Sequence, residues 1–252
     1  MKKSVMKKIF LINFLFFSLI SCEKETEEKD NPRITSEINF QSTGTPIGKF
    51  NGTVSDIEGN TYKVVSIGKQ VWMAENLKVS KYNDGTLIPY VSDRTQWKTL
   101  QTPAWSYPVS NEKYNQKFGK LYTWYVVEAN LKSNKNVCPT GWHVPSEADW
   151  KVLVDFLGGE EVAGGKMKEV GTTTWNTPNV DATNTSLFTA ISGGNRFFDG
   201  VDVNEGFSAG FWSSTSYDTI KAWYRHLNDF EGKISRYVFE KNCGFSIRCV
   251  KD

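Results

Sequence analysis

Residues 146–159, SEADWKVLVDFLGG, specify a helix with both ends marked and so constrain the fold more than any other stretch. Ser146 is an N-cap residue, and Asp149 at N3 completes an acidic variant of the capping box. Trp150, Leu153, Val154 and Leu157 fall at i, i+3, i+4 and i+7, which puts one apolar stripe on the core side. Gly158-Gly159 supplies a left-handed stop. One such helix cannot bury its stripe alone. It needs a sheet, and the sheet signals lie at both ends of the chain. Residues 53–77 read as a three-stranded meander turned at Glu58-Gly59-Asn60 and Gly68-Lys69. Phe211–Thr215, Ala222–Leu227, Ile234–Phe239 and Phe245–Val250 have strand length and strand composition. A second helix is expected over Phe118–Leu131 and a short third around Val162–Glu169, with long irregular loops over 80–115 and 173–208. Helices in the middle and strands from both ends give an α+β domain whose termini join one antiparallel sheet.

The first residues do not belong to that domain. Lys2, Lys3, Lys7 and Lys8 precede an apolar run of twelve, Ile9–Ile20. A bilayer-spanning helix needs about 20 such residues, so residues 1–21 are expected to be a cleaved signal peptide. Leu19-Ile20-Ser21-Cys22 resembles a bacterial lipobox. That resemblance implies cleavage before Cys22 and a lipid, palmitate included, on the processed cysteine. Losing the four lysines takes the formal charge from +2 to −2. With no basic patch, nucleic acid is not an expected partner. Residues 22–49 carry Glu23, Glu25, Glu27, Glu28 and Asp30 and are expected to be a disordered acidic tether, leaving one domain over 50–252. The acidic run also resembles the surface-export signal of Bacteroidetes lipoproteins, which implies an outer-membrane, surface-exposed location.

Nine stretches carry a family resemblance in order along the domain. They are DIEGNTYKVVSIGKQVWMAENLK, KYNDGT, GKLYTWY, CPTGWHVPSEADW, LGG, VAGGKMKE, GFWSST, AWYRHL and GFSIRCVKD. Together they resemble the Fibrobacter succinogenes major paralogous (FISUMP) domain over about residues 52–252. WHVPSEADW and GFSIRCVKD are also similar to the helix start and the ending of formylglycine-generating-enzyme domains. That second resemblance implies a C-type-lectin-like architecture of two main helices, small antiparallel sheets and long loops.

The lectin-like layout further implies a disulfide between Cys138, before the helix, and Cys249, in the last strand. Cys243 is then left over. The residues alone leave Cys138–Cys243 and Cys243–Cys249 open. The C-x₅-C pair Cys243/Cys249 has no His close in sequence, so the copper-dependent chemistry of formylglycine-generating enzymes is not expected. His143 and His226 lie far apart. His143 is expected to pack as a structural residue and His226 to be exposed. Glycosidase carboxylates are separated by about 5–10 Å in space, and the sequence singles out no pair.

Binding is the better expectation. Residues 173–208 gather Trp175, Asn179, Arg196, Asp199, Asp202 and Asn204 on long loops. An exposed Trp face stacks on a sugar ring, and Asn, Asp and Arg bond its hydroxyls. Asp199, Asp202 and Asn204 also offer oxygens of the kind Ca²⁺ takes, without EF-hand spacing. The expected protein is a lipid-anchored, non-enzymatic binding or adhesion protein of the cell envelope, with a glycan or surface protein as partner. The rival classes are an enzyme acting on polysaccharide or protein and a structural envelope subunit.

Overall fold

The computed structural model describes residues 43–108 and 115–252. The expected signal peptide, Cys22 and most of the acidic tether lie outside the described residues. The end of the tether does not. The Thr43 and Ile47 backbone N–H groups donate to Thr183 O (3.0 Å) and Thr185 O (2.7 Å), and β1 (Gly48–Ser55) begins two residues before the expected boundary.

The meander is present as β1, β2 (Thr61–Ile67) and β3 (Gln70–Met73). The chain end completes its sheet. β13 (Val250–Lys251) lies between β3 and β6 (Trp142–His143), giving the order β1-β2-β3-β13-β6. Val250 is opposite both Trp72 and His143, so the two ends of the domain meet as expected. A second sheet runs β11 (Ser235–Glu240), β10 (Lys221–Asn228), β9 (Ser208–Ser216). A third joins short strands in the order β4 (Trp105–Ser106), β5 (Leu121–Thr123), β12 (Gly244–Phe245), β7 (Asn195–Arg196), β8 (Asp202–Val203).

Five helices stand among the described residues: α1 (Arg94–Lys98), α2 (Asn115–Phe118), α3 (Trp124–Ser133), α4 (Glu147–Phe156) and α5 (Glu160–Met167). The fold is therefore α+β, with strands predominating. The two longest helices, α3 and α4, have ten residues each, and α5 has eight.

Two sequence expectations fail for identifiable reasons. The helix expected from Phe118 is interrupted at Gly119, whose φ is +74° and where a Cβ would sit 2.7 Å from Leu77 O. Leu121 and Tyr122 then pair with β4 and β12 as strand, and helix resumes at Trp124. The strand expected over Phe245–Val250 is two short strands in different sheets. Its middle instead serves the core. Ile247 O and Cys249 O accept the N–H groups of Leu77 (2.9 Å) and Met73 (3.0 Å).

The core forms two clusters. One holds Tyr62, Met73, Trp124, Trp212 and Phe245 with both cysteines of the disulfide. The other holds Trp72, Trp150, Phe188 and Phe211, the Trp72 and Trp150 rings being 4.9 Å apart. Cys138 and Cys249 are bonded across a sequence separation of 111, as the lectin-like layout implied. Cys243 is a buried free thiol. Arg248, fully buried, donates to Asn76 Oδ1 (2.8 Å), Thr189 O (2.8 Å) and Phe188 O, and its guanidinium lies 4.3 Å from the Phe188 ring. A buried charge is tolerable only when it is hydrogen-bonded, and the Asn76 side chain and two backbone carbonyls meet all three guanidinium nitrogens.

Candidate functional site

The predicted loop residues do not gather into a site. Trp175 is fully buried, and its indole N–H donates to Ala190 O at 2.9 Å. A ring with no exposed face cannot stack on a sugar, so Trp175 is a core residue. Asn179 is buried as well. It sits at φ +46°, and its amide donates to Glu169 O (2.9 Å) and Gly171 O (2.6 Å). Asn204 holds a turn at φ +64°, its carbonyl accepting the N–H groups of Phe207 and Ser208 at 2.9 Å each. These residues carry the loop backbone rather than a ligand.

Arg196, Asp199 and Asp202 do come near one another, at the β7–β8 hairpin, and each already has a partner. The Arg196 guanidinium lies 4.7 Å from the Trp97 ring, donates to Ser92 O (2.6 Å) and faces Asp202 at 3.6 Å. Asp199 accepts from Arg94 at 2.9 Å and from the Val201 N–H at 3.1 Å. An arginine beside each carboxylate disfavours a cation there. Among the described residues, no three His, Cys, Asp or Glu side chains converge to hold a metal. The Ca²⁺ expectation therefore does not fit these residues. A cation that belongs to the chain occupies an oxygen cage elsewhere in the domain. Lys168 Nζ, fully buried, donates to Val180 O (2.7 Å), Glu231 O (2.9 Å) and Asn228 O (3.0 Å). Burial lowers its pKa to about 8, with Asp181, Asp229 and Glu231 pulling the other way.

The stretch 138–150 is scaffold. The Ser146 hydroxyl accepts the Asp149 N–H at 3.2 Å, and Asp149 returns the bond to the Ser146 N–H at 2.8 Å. His143 bridges Asp149 (3.3 Å) and Asp252 (2.6 Å) across the sheet edge. His226, expected at the surface, is half-buried beside the Tyr224 and Tyr237 rings, and burial pushes its pKa down.

The cleft of 510 Å³ between α4 and β10–β11 is lined by paired charges, with Glu147 Oε1 and Arg225 Nε left without a hydrogen-bond partner among the described residues. Arg225 pairs with Glu147 (2.8 Å) and Glu160 (3.2 Å), and Arg236 pairs with Glu147 (2.5 Å) while lying 3.6 Å from the Trp223 ring. This network fastens the first turns of α4 and α5 to the sheet. Acids in those first turns also suit the helix dipoles. A shelf of 600 Å³ beside Ile47, Val152 and Phe156 is apolar without convergent polar groups.

The hollow with the chemistry of a binding site is a groove of 380 Å³ between α3 and the loops 82–89 and 101–103. One wall is a helix face: Tyr125, Glu128, Ala129, Lys132 and Ser133 fall at i, i+3, i+4, i+7 and i+8. The same helix turns Trp124 and Val127 into the core. The other wall begins at a tight turn, where Gly85 at φ +85° donates to Tyr82 O (2.9 Å) and the Thr86 N–H donates to Asp84 Oδ1 (2.8 Å). The Asn83 N–H donates to Asn136 O at 2.7 Å, which docks that turn beyond the end of α3. Leu87, Pro89 and Pro103 complete an apolar lining, with Gln101 and Thr102 beside it.

Tyr82 lines this groove, is 2 % exposed, and its hydroxyl has no hydrogen-bond partner among the described residues. A buried unpaired hydroxyl costs about 1–3 kcal/mol. Burial, with Asp84 adding to it, pushes the phenol pKa up, so the group stays a neutral donor. Glu128 accepts from Lys132 (2.8 Å) and from the nearly buried Lys241 (3.3 Å). Burial raises its pKa, but those two bonds outweigh it and the carboxyl lies below its ordinary value.

The groove is not evident in the sequence, because residues 80–115 carry the composition of loop. The available signals were the Asn-Asp-Gly turn after Tyr82 and the polar stripe of α3. No curated protein and no solved structure matches the chain. The Fibrobacter succinogenes major domain model matches residues 65–251, so the chain belongs to that family.

Proposed function

We propose that this chain is a lipid-anchored protein of the outer membrane, facing the cell surface, whose domain binds a glycan in the Tyr82–Tyr125 groove without turning it over. The observation that carries the binding role is the unpartnered Tyr82 hydroxyl at a groove whose walls combine Tyr125, Leu87 and two prolines with polar side chains. A pyranose ring offers a C–H face to Tyr125 and the prolines, and a hydroxyl to Tyr82 when the buried phenol turns into the groove. Small-molecule sites have this composition, apolar walls with a few placed polar groups. The anchor rests on the apolar run before Cys22 and the lipobox resemblance. The joined termini and the Cys138–Cys249 bond agree with a lectin-like layout. A non-catalytic role is favoured because the carboxylates of the charged cleft are committed to arginines and Cys249 is committed to Cys138.

A glycan array probed with the intact protein tests the reading. Tyr125→Ala removes a lining ring and should weaken the best hit by about 1–2 kcal/mol. Binding that ignores Tyr125 but falls on Arg196→Ala would return the site to the β7–β8 hairpin. Release of product from any bound glycan would make the protein an enzyme.

A further inference from the structure

We infer that the Tyr82–Tyr125 groove selects an anionic saccharide, one bearing a carboxylate or sulfate group, over a neutral one. The inference rests on the glycan reading of the groove and adds the charge of its ligand. Its basis is a surplus of ammonium groups at the rim. Lys132 and Lys135 line the groove against one lining acid, Glu128; behind the lining, Lys241 serves Glu128 and Asp84 stands beside Lys135.

The acids are already served. Lys241 is 4 % exposed, lies 4.4 Å from the Trp124 ring and reaches Glu128 from the core side. It satisfies that carboxylate without help from the rim. Lys132 reaches Glu128 from solvent, with its side chain 68 % exposed. An exposed i,i+4 pair is worth only about 0.3–0.5 kcal/mol, so Lys132 can turn to a ligand anion at little loss. Asp84 is held low first by the Thr86 backbone N–H and only in small part by Lys135. Lys135, half-buried, lines the groove and forms no ion pair among the described residues. An ammonium on the wall of a groove binds an anion more strongly than a hydroxyl. Tyr82 and Lys135 thus offer a neutral donor and a cation to one ligand.

The test is calorimetric titration of the intact protein with a neutral malto-oligosaccharide, an oligogalacturonate and a sulfated dextran oligosaccharide. An anionic probe should bind about tenfold tighter than the neutral one at low salt, a margin that shrinks as salt screens the contact. Lys135→Gln should narrow the margin by weakening the anionic probe more than the neutral one. Tyr82→Phe, which keeps the ring, should weaken every probe that binds. Preference for the galacturonate alone assigns the anion to a carboxylate, and preference for the sulfated probe alone assigns it to a sulfate ester. Equal affinity for charged and neutral probes overturns the anionic selection and leaves the glycan reading standing. Failure of all three saccharides to bind overturns both. An acidic peptide that competes as well as the anionic sugar overturns the saccharide assignment.

Discussion

Replacing Cys138 and Cys249 together by Ala should remove a third or more of the stability of this domain. The bond closes a sequence separation of 111. Chain entropy for a loop of that length contributes about 5 kcal/mol by restricting the unfolded chain. The β13–β6 pairing closes much the same loop, but only in the folded state, so it does not reduce that contribution. Both cysteines are essentially buried, and deleting each sulfur leaves a small void worth about 1 kcal/mol. The expected loss is therefore about 5–7 kcal/mol, against a typical total of 5–15 kcal/mol. Urea unfolding of the intact protein reads it directly. Reduced wild type should fall by about 5 kcal/mol, since it frees the loop without the voids. The double variant should lie slightly lower still and be insensitive to reductant. An oxidised wild type with the same midpoint as the reduced protein would refute this account of the bond. So would a Cys243→Ala variant that loses as much as the double variant.

Three further outcomes follow from the same geometry. Lys168 titrates near 8 in the fold against about 10.5 when unfolded, so the unfolded chain binds more protons between those values and this group adds stability as pH rises through that window. Lys168→Met should abolish that rise, worth up to about 3 kcal/mol, as read from the difference between wild-type and variant urea curves at pH 7.5 and 10. Arg225→Met leaves Glu147 with Arg236 alone and frees the half-exposed Glu160, for an expected loss of about 2 kcal/mol in the same assay. Mass spectrometry of the native protein should find an acylated Cys22 as the mature N-terminus, and an unmodified N-terminus elsewhere would remove the anchor.

Signals that act between neighbouring residues are legible in the sequence. The Ser146–Asp149 capping box, the stripe of Trp150, Leu153 and Val154, and the turns of the meander need only neighbouring residues, and all are present. The short strands are not legible, because β13 pairs with residues some 100 or more positions away and β12 exists only where Gly244 and Phe245 meet β5 and Arg196. The disulfide came through family resemblance, since spacing alone left three pairings open. The candidate site misled for a physical reason. Asn and Asp suit both sugar hydroxyls and left-handed backbone, and here Asn179, Asp181, Asn184 and Asn204 all stand at positive φ. Trp suits both a stacking platform and a core, and only burial separates the two. The α3 face was visible as a spacing, but what it faces is set by Tyr82, some forty residues earlier.

The central claim is that a glycan lands in the Tyr82–Tyr125 groove. Titrating the best-binding oligosaccharide into the isotope-labelled intact protein and following amide resonances tests it most directly. The account predicts shifts centred on Tyr82, Leu87, Tyr125 and Ala129, with Asn195, Asp199 and Asn204 unmoved. Shifts centred on those three loop residues, with α3 silent, would contradict it.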